Sequence, residues 1–318
     1  MPRRFAPRND TFSVGYLNTE RNDKQKLEIN KERGGRMEPI CDLHTHSYYS
    51  DGTLSPQELV QEAEKAGLSA IVLSDHNTIA GVPEFLAAAE GKNLEAVPGI
   101  EFSTEYQGTE LHILALYVAP CHYGDITAVV EDFLTRKDKS NEDLIVRLNA
   151  AGIKLDYEKI KSEAAGSINR AVIGAEMVRL GYCDSVQQAF SEWLSPKKGF
   201  YIPPLRPDAF ETIRFIKSIG AVAVLAHPFL NLDEAQLRVF LQDAVKAGLD
   251  GMEVYYAKYS PETTVLSQKI AADFGLLESG GSDFHGENKP DIRLGSGKGN
   301  LNIPLSLLHK LKERAEIV

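Results

Sequence analysis

From Pro39 onward the chain alternates short apolar runs with stretches whose apolar residues recur at helical spacing, the pattern of strands and helices taken in turn. The run Ile40 to His46 predicts a first strand. Ser55 then offers an N-cap and Pro56 a first helical residue; Leu59, Val60, Ala63 and Ala66 follow at helical spacing until Gly67 stops the helix. Further strands are predicted over Ala70 to Ser74, Leu94 to Phe102 and Leu111 to Val118, the last after the turn-like pair Gln107-Gly108. Between about Pro120 and Pro204 only helical patterns occur, over Ile126 to Ala151, Tyr157 to Ala164, Asn169 to Leu180 and Val186 to Leu194. Alternation then resumes: helices over Asp208 to Ile219, Asp233 to Ala247 and Pro261 to Phe274, with strands over Ala221 to Ala226, Gly251 to Tyr255 and Leu276 to Ser279. Many short strands each followed by a helix predict an α/β barrel-like sheet, with chemistry where the strands end. Its parts are 38–120 and 205–304, interrupted by a helical insertion at 121–204 and followed by a C-terminal helix at 305–318.

Residues 1–37 lack any apolar period and are rich in Arg and Lys, so they read as a polar basic tail without stable structure. Met37, just before the first strand, is an alternative start, and the acids Asp10, Glu20, Asp23, Glu28 and Glu32 argue against a transit peptide. The 318 residues, 43% hydrophobic and 25% charged, suffice for a full core. With 35 Lys+Arg against 45 Asp+Glu, the net charge of −10 argues against a duplex nucleic-acid coat or a polybasic membrane binder. It does not exclude an anionic substrate, because bound metal ions reverse the field locally. Cys41, Cys121 and Cys183 are too scattered for a disulfide framework, and no apolar run reaches the roughly 20 residues of a membrane span. A cytoplasmic location is expected.

Six of the eight histidines lie at or near predicted strand ends, most beside acids. In Asp42-Leu43-His44-Thr45-His46 the two imidazoles are two residues apart on a strand, so they share a face and can hold one ion. Ser50-Asp51-Gly52 is a turn that could aim a carboxylate back at that strand end. The second strand runs into Ser74-Asp75-His76-Asn77-Thr78, the third into Gly99-Ile100-Glu101, and His112 lies near the start of the next. Ala226-His227-Pro228 closes the strand after the insertion, and Gly281-Ser282-Asp283-Phe284-His285-Gly286 follows the last one. Core histidines are not usually collected on one edge of a barrel, so the joint pattern points to a metal site.

These linked motifs resemble the PHP (polymerase and histidinol phosphatase) domain proteins, metal-dependent phosphoesterases on a distorted (β/α)7 barrel. The resemblance spans about Pro39 to Asn300 and is nearest to a subgroup with an Asn-Arg motif in a helical insertion, here Asn169-Arg170. That subgroup includes nucleoside 3′,5′-bisphosphate phosphatases and 5′-to-3′ exoribonucleases. The resemblance implies three divalent ions, of Zn, Mn or Fe. One would be held by His44, His46, Glu101 and Asp283, a second by Glu101, His112 and His227, and a third by Asp51, His76 and His285, with Glu101 as bridge. Three carboxylates against six positive charges would leave a surplus for a phosphate. Where many relatives read Thr-Asp-His-Asp-Thr, this chain has Asn77, which removes a charge beside His76.

The implied reaction is in-line hydrolysis of a phosphomonoester by a metal-bridging hydroxide, with Asp283 and Glu101 in catalytic positions. The partner is a small phosphorylated nucleotide or an oligonucleotide end, which Arg170 and Asn169 would bind, Arg170 bidentately. Tyr48, Tyr49 and Tyr201 could stack a base. His122 and His309 lack acidic neighbours and read as surface or cap residues, and Cys41 as a small buried residue. Gly295 to Asn300 fails as a phosphate loop, because Gly299 follows Lys298 where Ser or Thr is needed. An amidohydrolase, a histidinol phosphatase or cyclic phosphodiesterase, and a non-catalytic metal-binding scaffold are the alternatives. The oligomeric state is left open.

Overall fold

A computed structural model describes residues 38–163 and 168–316. The basic tail at 1–37 and the expected helix end at Ala164 lie outside the described residues. Seven strands form one sheet in sequence order: β1 Cys41–Asp42, β2 Ala70–Leu73, β3 Glu95–Tyr106, β4 Thr109–Leu116, β5 Val222–Ala226, β6 Gly251–Tyr256 and β7 Leu277–Gly281. The flanking pairs are parallel, but β3–β4 and β4–β5 are antiparallel. Here the expected regular alternation fails, for a local reason. Gln107 and Gly108 both have positive φ, 49° and 77°, as a two-residue type I′ hairpin turn requires, so β4 returns beside β3 without a crossover helix.

The sheet curls until its edges nearly meet. Leu43 N donates to Gly280 O at 3.2 Å, Asp283 N to His44 O at 2.9 Å and His46 N to Phe284 O at 3.0 Å. Beyond Asp42 the expected first strand therefore continues as chain held by single bonds to the end of β7 and to the segment after it. Gly281 is required at this closure, because a Cβ there would collide with His44.

Strand alternation sorts the core into two layers. Leu43, Ala70, Val72, Val97, Leu114, Leu116, Val222 and Val224 form one buried cluster, which also takes in Leu307, Leu308 and Leu311 of the C-terminal helix α10, Leu305–Lys312. Residues of the opposite parity, such as Ile71, Ile100, Ile113 and Leu225, pack against the surrounding helices α1 Pro56–Lys65, α2 Val82–Ala89, α7 Ala209–Ser218, α8 Glu234–Ala247 and α9 Pro261–Asp273. Helix α1 starts where expected: Ser55 Oγ accepts from Glu58 N at 3.1 Å while Glu58 accepts from Ser55 N at 2.9 Å, a capping box of about 1 kcal/mol. Helix α2 has no counterpart among the expected elements; it spans only eight residues, with Pro83 in its first turn.

Between Pro120 and Pro204 the regular elements among the described residues are all helical, chiefly α3 Tyr123–Ala150, α4 Tyr157–Glu163, α5 Arg170–Arg179 and α6 Val186–Ala189. The expected helix over Val186 to Leu194 changes pitch halfway, its second half forming a π-helical turn, Phe190–Leu194. This segment has its own buried cluster, including Leu144, Leu148, Ile173, Met177 and Leu194. Among the described residues no helix is long and apolar enough to cross a membrane.

Candidate metal centre

The strand ends converge on Glu101. It shares the inward parity of Val97 on β3 and is completely buried, and His112 shares that of Leu114 and Leu116 on β4. His112 Nδ1 lies 2.8 Å and His227 Nε2 3.1 Å from Glu101 Oε1. Around Oε2 stand His76 Nδ1 at 3.0 Å, His44 Nε2 at 3.1 Å and His46 Nε2 at 3.3 Å. Asp283 Oδ1 faces His46 Nε2 at 3.3 Å and His44 Nε2 at 3.7 Å. Beyond them Asp51 Oδ1 lies 3.2 Å from His285 Nε2 and 3.9 Å from both His76 Nε2 and His46 Nδ1. All nine sequence-predicted residues thus come together.

Three overlapping groups could hold ions: His44, His46 and Glu101; His76, Glu101 and His112; and His46, Asp51, His76 and His285. They differ from the expected partition in two respects: Asp283 and His227 fall in none of the three, and His46 and His76 are shared. His46 and His76 each face two groups, one ring nitrogen toward Glu101 and the other toward Asp51.

The donor set fits divalent ions. Glu101 Oε2 and His76 Nδ1 are buried without a hydrogen-bond partner, which is costly unless something else satisfies them. Burial alone would raise the Glu101 pKa, but the imidazoles of His76, His44 and His112 hold its carboxyl well below the usual range. Burial would likewise lower His112, yet Glu101 and Glu110 raise it to about 10. His76 goes the other way: burial dominates and lowers it to about 3. Not every ring can carry a proton, and imidazole with carboxylate and no thiolate suits Zn, Mn or Fe.

A second ring of residues, missed in the sequence, aims these donors. His44 Nδ1 pairs with the buried Glu253 Oε1 at 2.9 Å, leaving Nε2 to face Glu101. Glu253 Oε2 also accepts from His227 N at 2.7 Å. Asp283 Oδ2 accepts from Tyr256 Oη at 2.8 Å and Lys289 Nζ at 2.6 Å, so only Oδ1 faces the imidazoles. Asp75 receives Ser47 N and Ser50 Oγ, and Asp42 receives Ser282 and Gly295 backbone N–H groups. The signal available was an acid inside an otherwise apolar strand, as in Gly251-Met252-Glu253-Val254. Asn77, the departure beside His76, has φ 52°, and its side-chain amide exchanges two 2.9 Å hydrogen bonds with Ser103. It fixes β3 rather than a charge.

The centre opens into a cavity of about 210 Å³ walled by the insertion and the segment after it. Arg170 reaches this cavity with its guanidinium 4.3 Å from the Tyr201 ring centre and 5.4 Å from that of Phe190. Tyr201 is therefore a platform for Arg170. Asn169 caps α5, its Oδ1 accepting from Ala171 N and Val172 N, while Nδ2 donates to Asp51 Oδ2 at 3.1 Å. Lys137 and Arg206 also line the cavity. Tyr48 and Tyr49 stack on each other at 4.8 Å and both donate to Glu84. Contrary to expectation, His122 has an acidic neighbour, Asp125, at 3.0 Å. His309 sits in the last turn of α10, and Cys41 is fully buried.

The PHP domain model matches residues 42–202, half of the chain. A 5′-3′ exoribonuclease of Haemophilus influenzae is 33% identical over 245 residues, 77% of this chain and 89% of the relative. The chain belongs to the PHP domain family. Like the PHP proteins it matches, it is a metal-dependent phosphoesterase, a hydrolase. A 3′,5′-nucleoside bisphosphate phosphatase of Chromobacterium violaceum is 27% identical over 79% of this chain and 90% of its own length. A solved structure from Bifidobacterium adolescentis, named as a candidate metal-dependent phosphoesterase, superposes with a TM-score of 0.78 at 28% identity over 88% of this chain and 98% of that one. His227, Asp283 and His285 lie beyond the PHP match, yet the fold returns them to the residues within it.

Proposed function

We propose that this PHP protein hydrolyses a phosphomonoester of a nucleotide, such as a nucleoside 3′,5′-bisphosphate or an oligonucleotide end. It would do so at three divalent ions held by His44, His46, Asp51, His76, Glu101, His112, His227, Asp283 and His285. One observation carries the reading: a completely buried Glu101, crowded by five imidazoles, beside a cavity that also presents Arg170, Lys137 and Arg206. When bound, the ions supply Lewis acidity toward phosphate oxygens and lower the pKa of water. Glu101 reaches two ligand groups at once and so fixes their separation. Asp283, with Oδ2 held by Tyr256 and Lys289, presents one oxygen in a set direction. Arg170, oriented by Tyr201 and Phe190, offers guanidinium N–H groups to phosphate. The exoribonuclease and bisphosphate phosphatase relatives support a nucleotide substrate.

The test is to purify the protein, count bound metal, and measure phosphate release from adenosine 3′,5′-bisphosphate, short 5′-phosphorylated RNA and histidinol phosphate, and release of linear product from a cyclic dinucleotide. Release from the first two with bound metal is expected. Absence of metal and of release from any of them would sink the proposal.

A further inference from the structure

The insertion covers the ring of strand ends on one side. The cavity it walls is lined on the barrel side by residues such as Asp51, His76 and His112, and a second cavity beneath it by Tyr49, Asn77 and Thr78. All of these lie on or follow β1, β2 and β4, and the segments after β6 and β7 line neither cavity. On that other side three lysines gather: Lys258 two residues beyond β6, Lys289 after β7, and Lys298 in the glycine-rich run that fails as a phosphate loop. The run makes no phosphate nest, because the backbone N–H groups of Gly295 to Gly299 all donate to protein acceptors. It seats a lysine instead. Asn300 Nδ2 reaches Ala257 O at 3.3 Å and Tyr259 O at 3.5 Å, the carbonyls that flank Lys258. Gly297 approaches Ala257 so closely that a Cβ on it would lie 2.9 Å from the alanine Cβ. The loop carrying Lys298 is thus pinned to the loop carrying Lys258.

Lys289 ties this group to the centre, its Nζ 2.6 Å from Asp283 Oδ2. Desolvation of the Lys258 ammonium, then the charges of Lys289 and Lys298, lower its pKa against the pull of Asp283. Elsewhere on the surface ammonium groups meet carboxylates, Lys65 with Glu62, Lys92 with Glu64 and Lys217 with Asp250. Lys258 and Lys298 are exposed and, among the described residues, make no ion pair. Gathering like charges is unfavourable in the free protein, the more notable in a chain of net charge −10. It becomes favourable when a polyanion lies across them. Because neither lysine lines the insertion cavity, a ligand that meets both the ions and these lysines extends out of that cavity along the rim.

We infer that the rim formed by Lys258, Lys289 and Lys298 binds the phosphodiester backbone of a single-stranded oligonucleotide whose end lies at the metal centre. The inference rests on the phosphoesterase reading and narrows it, from nucleotides in general to the ends of oligonucleotide chains.

The test compares metal-loaded wild type with the double variants Lys258→Gln/Lys298→Gln and Lys258→Arg/Lys298→Arg. Both lysines are exposed and hold no candidate metal ligand, so Lys289, which holds Asp283, is left in place. Binding of a 5′-phosphorylated, 3′-fluorescein octaadenylate with phosphorothioate links is read by anisotropy at several salt concentrations, and turnover of adenosine 3′,5′-bisphosphate is measured alongside. The glutamine variant is expected to bind the octamer about tenfold more weakly. Its slope of log affinity against log salt should flatten by about 1.4, two contacts at about 0.7 each for a single strand. On the bisphosphate its kcat/KM stays within about twofold of wild type, because exposed charges beyond the cavity are screened from it. The arginine variant binds the octamer as wild type does. Unchanged octamer binding in the glutamine variant, an equal loss on the bisphosphate, or displacement of the octamer by polyglutamate as readily as by unlabelled RNA would overturn the inference. So would a wild type that turns over the bisphosphate and binds no octamer. Failure of wild type to hydrolyse any ester, with octamer binding still dependent on the two lysines, would sink the proposed function and leave the rim as a binding site.

Discussion

Asp283 has φ 55°, and His227 and Asn77 also have positive φ, 28° and 52°. Such conformations are costly for residues other than glycine and persist where the surroundings over-determine them. Here hydrogen bonds do so: Asp283 N to His44 O, His227 N to Glu253 and Asn77 N to Glu101 O. Asp283→Asn keeps the size of the side chain and removes its charge. Turnover is expected to fall by about 10² or more while the thermal midpoint shifts little; full activity would remove Asp283 from the centre. Glu253→Gln leaves the nine candidate ligands untouched but loosens His44 and should weaken metal affinity about 10–100-fold, read by chelator competition. The candidate ligands were legible because paired histidines and acids at strand ends have few structural uses. Glu253, Asp42 and Asp75 were not, because their partners are backbone amides, serine hydroxyls and an imidazole brought in by the fold from elsewhere in the chain.

At the scale of elements, the two-residue turn at Gln107-Gly108 was visible in the sequence, but its consequence, an antiparallel pair inside a barrel, was not. Strand direction follows from what the next segment pairs with, and the long insertion hides that. The insertion contributes more than a wall. Through Asn169 the start of α5 is tied to Asp51, so capping and the Asp51 group are coupled. Asn169→Ala should cost about 1 kcal/mol of stability and lower metal occupancy at the Asp51 group, checked by thermal denaturation and metal counting. Tyr201→Ala, which removes the platform beneath Arg170, should raise KM severalfold with kcat nearly unchanged. An unchanged KM would mean that Arg170 needs no such support.

For the whole molecule, the net charge of −10 loses its force as an argument against an anionic substrate. Asp51, Glu101 and Asp283 face imidazoles rather than water, and the cavity beside them carries Lys137, Arg170 and Arg206. Acidity is global and the positive field local. Because binding to the native state alone stabilises by mass action, stripping the ions with a chelator should lower the melting temperature. The loss is about 4 kcal/mol for a metal present at a thousandfold its dissociation constant, measured by calorimetry before and after re-addition. An identical melt in both states would remove the ions from the structure's energetics.

The closing contact of the barrel also sets a timetable. Ser282 N bonds to Asp42 across 240 residues of chain, and the same seam brings Asp283 and His285 to His44 and His46. Contacts so distant in sequence carry a loop-closure cost before they return anything, and none of them exists until the chain past β7 is made. A chain still emerging from the ribosome therefore holds the first histidine pair long before its final carboxylate exists. A chain cut short anywhere upstream of β7 lacks Asp283 and His285, and is expected to show no hydrolytic activity in the phosphate-release assay.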